Sequence, residues 1–197
     1  MSLTLVQCAS GRFVDLQKQT SPHHQEYCNN HGYNYLVHYG RVQNRFGPMW
    51  DKVLLISDAL KYSEMVVWMD TDSLIVNQTM ELEFAFQDVQ HIGHCKHGEK
   101  WKDNFWHYNC GVGFYRKNDS VFEFLNRVWE RGIVPHPTWQ VQATMLEIND
   151  ELRLMNRLDD KWNSTIGTNE STDPVIQSWH GHNLDFSPIL QRLSEVS

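Results

Sequence analysis

The 197 residues lack the marks of several common partners. Lys and Arg form no cluster, and the net charge is −7. Nucleic acid is therefore not an expected partner, and an anionic ligand would need a cation as bridge. No apolar run is long enough to cross a bilayer. The opening MSLTLVQCASGR has neither the charged start nor the apolar length of a signal peptide, so a cytoplasmic protein without a membrane span is expected. Cysteine is scarce, and Cys8, Cys28, Cys95 and Cys110 form no C-x-x-C pair, which suits reduced thiols. Without an export signal, the four N-x-[S/T] sequons at Asn77, Asn118, Asn163 and Asn169 read as composition. Repeats and low-complexity tracts are absent too. Hydrophobic residues make up 41% and charged residues 21%, the balance of one soluble domain able to bury a core.

Along the chain, short β-type runs alternate with helix-type stretches. Residues 3–8 (LTLVQC) predict a strand, and Ser21-Pro22 an N-cap and first turn of a helix ending near Gly32. Tyr35–Tyr39 predicts a second strand, Trp50–Leu60 a helix and Met65–Met69 a third strand. This β-α-β-α-β order predicts a parallel sheet whose ligand sits beyond the carboxyl ends of the strands. Further on, His91–Cys95 and Gly111–Arg116 are β-like. Ser120-x-x-Glu123 reads as a capping box for a helix closed by Gly132. A helix over Thr138–Ile148, a strand near Leu152–Arg157 and a terminal helix opened by Ser187-Pro188 complete the expectation. No linker divides the chain. One domain over 1–197 is expected, with a ligand-binding half over about 1–110 and a catalytic half over about 111–197.

The chemistry concentrates in VVWMDTDSLIV, residues 66–76, where Asp70 and Asp72 stand between apolar runs. Carboxylates at the edge of a core are costly without partners. One reading is a turn, with aspartate capping the backbone. A second is a haloacid-dehalogenase-type phosphatase, which this stretch resembles locally. Asp70, Asp72 and Ser73 would be its nucleophile motif and Asp159-Asp160 its later acidic motif. That family places its pair on the first strand, whereas here two β-α units come first. A third is a clamp for Mn²⁺ or Mg²⁺, hard cations that keep positions open for the oxygens of a diphosphate leaving group.

In order, EYCNNHGYNY, PMWDKVLLISDALKYSEMVVWMDTDSLIVN, NCGVGFYR and WHG are spread over about three quarters of the chain. Together they resemble the DxD glycosyltransferases of GT-A fold, within the group of fungal galactosyl- and mannosyltransferases and plant xylosyltransferases. The resemblance implies an α/β fold with a mixed, mainly parallel central sheet flanked by helices. It also implies transfer of a sugar from a nucleotide-sugar, UDP-linked, to a glycan or glycoprotein, with retention of anomeric configuration. Asp70, Asp72 and His180 would hold the Mn²⁺ or Mg²⁺, with Thr71, Gly181 and His182 beside the diphosphate. Lys52 would reach the donor, Cys8, Ala9, Ser10 and Arg12 would hold base and ribose, and Asn109 and Gly111 the donor sugar. Gln140 stands where the family often has an acidic residue. A nucleophile is therefore not expected there, and its amide oxygen would steady the developing positive charge instead. Asp160 would be a further donor-sugar contact. The related Golgi enzymes carry a membrane anchor that this chain lacks. A bacterial or large-DNA-virus enzyme of the capsid-glycosylating kind fits, as does one domain of a longer protein.

Two weaker signals remain. His91, His94, Cys95, His97, His107 and Cys110 match no tetrahedral zinc spacing. Trp101, Phe105 and Trp106 offer sugar-stacking faces in an acceptor-side loop. An inverting enzyme would need a carboxylate base, for which Asp103, Asp159 and Asp160 are candidates. A non-catalytic sugar-nucleotide-binding module would keep the fold without needing both carboxylates and His180.

Overall fold

The computed structural model describes residues 2–97, 107–136, 139–179 and 185–196. The first half follows the expected alternation. Strand β1 (Leu3–Ala9) leads to helix α1 (Phe13–His31), then to β2 (Asn34–Tyr39). A 3₁₀ turn at Pro48–Trp50 opens α2 (Asp51–Tyr62), which is followed by β3 (Met65–Met69) and β4 (Ser73–Ile75). After a 3₁₀ segment at Leu82–Asp88 come β5 (Ile92–His94), β6 (Lys96–His97), β7 (His107–Tyr108) and β8 (Val112–Arg116). Helices α3 (Asp119–Arg131) and α4 (Gln140–Leu152) precede β9 (Met155–Arg157). Strands β10 (Ser164–Thr165) and β11 (Ile176–Ser178) and helix α5 (Ser187–Val196) close the order. Among the described residues no helix is long and apolar enough to cross a membrane.

The main sheet runs β2-β1-β3-β8-β5-β9. β1 is parallel to β2 and β3, β8 is antiparallel to β3 and β5, and β9 is parallel to β5. Five of the six strands thus point one way, and β8 alone opposes them. Side-chain alternation splits the core into two layers. Leu3, Leu5, Val67, Met69 and Phe114 pack with Tyr27 and Cys28 of α1 on one face. Val6, Val66, Trp68 and Tyr115 pack with α2, α3 and α4 on the other. Every residue of β3 is buried, which is why the sequence there is an unbroken apolar run. β2 lies at the sheet edge and accordingly mixes exposed with half-buried residues.

Three local expectations are corrected. Helix α1 begins at Phe13, and Pro22 lies inside it. An interior proline costs about 3 kcal/mol through its missing N–H and ring clash. Here Pro22 and Lys18 are exposed, so the unbonded carbonyl meets water, while Leu16, Thr20, Tyr27 and Cys28 bury the opposite face. Its end is as expected: Gly32 adopts φ 70°, and the N–H groups of Gly32 and Tyr33 bond the carbonyls of Asn29 and Cys28. Helix α3 is capped by Asn118, not by Ser120. The Asn118 side chain accepts the Val121 N–H at 3.0 Å, and Glu123 instead approaches Arg127 at 3.8 Å. Helix α4 runs on to Leu152, because Asn149 accepts the Met155 N–H at 2.8 Å and carries the chain straight into a shorter β9.

A second sheet runs β10-β11-β4. β11 runs antiparallel to β4 with Ser178 opposite Ser73, their hydroxyls 2.7 Å apart. One residue further, the Trp179 N–H donates to the Asp72 carbonyl at 2.9 Å.

Candidate active site

At the carboxyl ends of β1 and β3 lies a cavity of about 570 Å³. Sheet order dictates its layout. Cys8, Ser10 and Arg12 line it from the β1 side, and Asp70 and Asp72 from the end of β3. Asn109, Cys110 and Gly111 line it from the approach to β8, with Trp139, Val141 and Gln142 from the start of α4.

The two carboxylates sit in a turn tied down on several sides. The Asp70 N–H continues the β3–β8 ladder to the Gly111 carbonyl at 2.8 Å. Asp70 Oδ1 accepts from Lys52 Nζ at 2.9 Å and from Trp68 Nε1 at 2.6 Å. Lys52 is itself buried and donates to the Cys110 carbonyl at 3.0 Å. The charge of Asp70 is thus balanced from beneath, through one oxygen. Its other oxygen, Oδ2, faces residue 111, where a Cβ would come within 3.4 Å. Glycine there keeps that oxygen open to the cavity. Thr71 spends its hydroxyl on the Cys8 carbonyl at 3.1 Å, fastening the turn to the end of β1.

The opposite wall is gripped by α4. Gln142 Oε1 accepts the Cys110 N–H at 2.9 Å, and Asn109 Oδ1 accepts the Gly111 N–H at 2.9 Å. Asn109 Nδ2 donates to Thr165 Oγ1 at 3.3 Å. The backbone beside Asp70 is therefore held by residues far apart in sequence. Burial pushes the Cys8 thiol up to about 11, aided by the carboxylates of Asp51 and Asp70, and the Cys110 thiol up to about 12. Both remain protonated at neutral pH, which removes them as nucleophiles.

The structure brings most of the sequence candidates together. Cys8, Ser10, Arg12, Lys52, Asp70, Asp72, Asn109 and Gly111 line the cavity, with Ala9 buried just behind, its carbonyl accepting the Gly40 N–H at 2.8 Å. Thr71 is buried behind the cavity with its hydroxyl on the Cys8 carbonyl, and two further candidates lie elsewhere. Gln140 is exposed, with its amide oxygen against Gly47, and the cavity glutamine is Gln142. Asp160 lines a separate concavity with Arg157, Asp159 and Glu170, at the start of the 3₁₀ turn Asp160–Asn163. His180, Gly181 and His182 lie outside the described residues, as do Trp101, Asp103, Phe105 and Trp106.

Among the described residues, no three His, Cys, Asp or Glu side chains are grouped to hold a metal. His94 is fully buried, its Nδ1 2.7 Å from the Val112 carbonyl, and burial lowers its pKa to about 4. Cys95 donates to the Asp159 carbonyl at 3.1 Å. Residues that sequence reasoning missed are Trp68, Gln142 and Trp139. Trp68 carried a signal, standing two residues before Asp70 on an alternating strand. Gln142 and Trp139 carried none, since their roles depend on where α4 docks.

Comparison with known proteins follows the same lines. Residues 6–106, just over half of the chain, match the galactosyl transferase GMA12/MNN10 family. Among solved structures, a glycosyltransferase involved in glycosylation of the major capsid of PBCV-1 has a TM-score of 0.74 at 17% identity, with 100% of both chains covered. The galactosyltransferase LgtC, solved with donor and acceptor sugar analogues, has a TM-score of 0.60 at 11% identity, over 98% of this chain and 94% of that one. A Drosophila beta1,4-galactosyltransferase 7 mutant, solved with manganese, UDP-Gal and xylobiose, has a TM-score of 0.53 at 15% identity, over 93% and 72%. At such identities the likeness speaks to fold, and that fold is GT-A. No curated protein sequence matches the chain.

Proposed function

Because the chain belongs to the galactosyl transferase GMA12/MNN10 family and is a glycosyltransferase, we propose that it moves a sugar from a UDP-sugar to a glycan or glycoprotein, with Mn²⁺ or Mg²⁺ and with retention. The observation that carries this reading is the two-sided state of Asp70. Lys52 and Trp68 occupy one carboxylate oxygen, while Gly111 leaves the other open to the cavity. An oxygen held open beside a second cavity carboxylate, Asp72, suits a hard cation. Asp70 and Asp72 would hold the cation with His180, which directly follows the residue whose N–H bonds the Asp72 carbonyl. When bound, the cation supplies charge neutralisation to the departing diphosphate.

The residues of the chain divide the remaining tasks. Cys8, Ser10 and Arg12 flank the nucleotide end, and the Asn109–Gly111 segment flanks the transferred sugar. Retention follows the behaviour of the group that the chain resembles. Among the described residues that line the cavity, the carboxylates are Asp70 and Asp72, while Asp103 lies outside the described residues. Asp159 and Asp160 stand at the other concavity. In a front-face reaction the leaving phosphate oxygen takes the acceptor proton, and the protein contributes position and electrostatics. The acceptor class extends to a viral capsid glycoprotein, the kind of protein served by the PBCV-1 enzyme. A phosphatase is disfavoured, since the family matched and the fold are those of glycosyltransferases.

Calorimetry with UDP and UDP-sugars, with and without Mn²⁺, tests the reading. UDP is expected to bind only with the cation, and Asp72→Ala and His180→Ala are each expected to weaken that binding by about 10-fold or more. Hydrolysis of a simple phosphoester, abolished by Asp70→Asn and unaccompanied by UDP affinity, would overturn it in favour of the phosphatase.

A further inference from the structure

Asp70 offers the cavity a single oxygen, and the reason lies in its neighbours. Trp68 stands two residues earlier, near the end of β3. It is 3% exposed, packs with Val6, Val66 and Tyr115 in the layer shared with α2, and lines the cavity. Its Nε1–H donates to Asp70 Oδ1 at 2.6 Å, and Lys52 Nζ donates to the same oxygen at 2.9 Å. The Lys52 ammonium also lies 5.3 Å from the centre of the Trp68 ring and donates to the Cys110 carbonyl at 3.0 Å. Indole, ammonium and carboxylate thus form one packed unit beside the cavity.

The bond count decides what is left for a ligand. A carboxylate oxygen has about two lone-pair sites, and two donors fill those of Oδ1. One of the donors is an ammonium, which repels any cation drawn to that oxygen. Turning the carboxylate to present both oxygens would leave a buried ammonium and a buried indole N–H without their acceptor, a costly change. Asp70 therefore gives a cation one oxygen. That limit sorts cations by how many oxygens they need. Ca²⁺ takes about six to eight and readily uses both oxygens of one carboxylate. Mg²⁺ and Mn²⁺ settle for about six ligands in an octahedron, to which one oxygen per carboxylate is well matched. Packing alone would be served by any large apolar ring at position 68. The N–H aimed at Asp70 is what packing does not require.

We infer that Trp68, acting with Lys52, is a positioning residue that holds Asp70 to a one-oxygen contact and so makes the site select Mn²⁺ or Mg²⁺ against Ca²⁺. This rests on the metal reading above and extends it from which residues hold the cation to which cation they admit. Trp68 acts through Asp70 and contributes no ligand atom of its own.

Calorimetric UDP binding in Mn²⁺ and in Ca²⁺ tests this without turnover. Wild-type protein is expected to bind UDP about 10-fold or more tightly with Mn²⁺ than with Ca²⁺. Trp68→Phe keeps a ring and loses the donor. It is expected to shrink that preference by about 10-fold, through weaker binding in Mn²⁺ and equal or tighter binding in Ca²⁺. Benzothienylalanine at position 68 keeps the fused ring without the N–H; it carries the same expectation and takes the place of Trp68→Phe if that variant does not fold. Val66→Ala loosens the same core layer without touching the N–H, and its preference is expected to stay within about twofold of wild type. Equal UDP affinity in Mn²⁺ and Ca²⁺ for wild type overturns the inference. So does an unchanged preference once the N–H is lost, or a change in Val66→Ala as large as that in Trp68→Phe. If wild-type protein fails to bind UDP with Mn²⁺, the metal reading itself fails. If UDP binds and the preference does not depend on position 68, the selectivity inference alone fails.

Discussion

Lys52→Met removes the buried cation beneath Asp70 while keeping most of the side-chain stem. Lys52 is 5% exposed, and its ammonium makes two bonds, to Asp70 Oδ1 at 2.9 Å and to the Cys110 carbonyl at 3.0 Å. Breaking a fully buried ion pair from one side costs about 3–5 kcal/mol, and a carbonyl left without a donor about 1–3 kcal/mol. Two facts reduce the sum. The Asp70 side chain is 35% exposed, so water recovers part of its solvation, and Trp68 still donates to it. The expected destabilisation is about 2–4 kcal/mol, a fall in Tm of about 5–15 °C for a chain of this size. Urea unfolding at neutral pH measures it. A double-mutant cycle with Asp70→Asn isolates the pair, and a coupling of about 1 kcal/mol or more is expected. If Lys52→Met lies within about 0.5 kcal/mol of wild type, or the coupling vanishes, the proposed balancing of Asp70 from beneath is wrong.

Three further outcomes follow from the packing. Gly111→Ala places a Cβ 3.4 Å from Asp70 Oδ2 and 3.1 Å from Asn109 Oδ1. Calorimetry should find Mn²⁺-dependent UDP affinity down by about 10-fold with a stability loss near 1 kcal/mol, and unchanged affinity would remove Oδ2 from the cation site. Asn118→Ala should cost about 1 kcal/mol in urea unfolding, whereas Ser120→Ala should cost much less; the reverse order would restore Ser120 as the cap of α3. His24 and His94 are buried, and burial lowers them from 6.5 to about 3 and about 4. Below pH 6.5 the unfolded chain gains protons that the folded chain refuses. Stability is therefore whole above pH 6.5 and declines towards pH 4, by about 1.4 kcal/mol per pH unit for each histidine. A flat stability profile between pH 6.5 and 4.5 would contradict their burial as neutral rings.

Local signals made part of this molecule legible. An unbroken apolar run as short as Met65–Met69, between a helix and Asp70, suits a strand covered on both faces, and the strand ends where Asp70 begins. Gly32 announced the end of α1 because a left-handed residue favours glycine. Other signals misled for equally physical reasons. Ser21-Pro22 looks like a helix start, yet exposed Pro22 is tolerated because the opposite face of α1 is anchored in the core. Ser120-x-x-Glu123 has the spacing of a capping box, but Asn118 reaches the Val121 N–H first. Asp160 and Asp70 are both acidic residues next to strands, and no local pattern says that they face different concavities.

The sequence by itself determined the β-α-β-α-β opening, the pair of carboxylates at the end of the third strand and the resemblance those motifs carry. These depend on periodicity and on groups near one another in the chain. Tertiary structure decided which donors meet Asp70, how Gln142 holds the Cys110 backbone, how Trp179 closes on Asp72 and that Trp139 lines the cavity. Each of those contacts joins groups that only docking against a common core brings together. Burial then selects one arrangement from many that the local sequence allows.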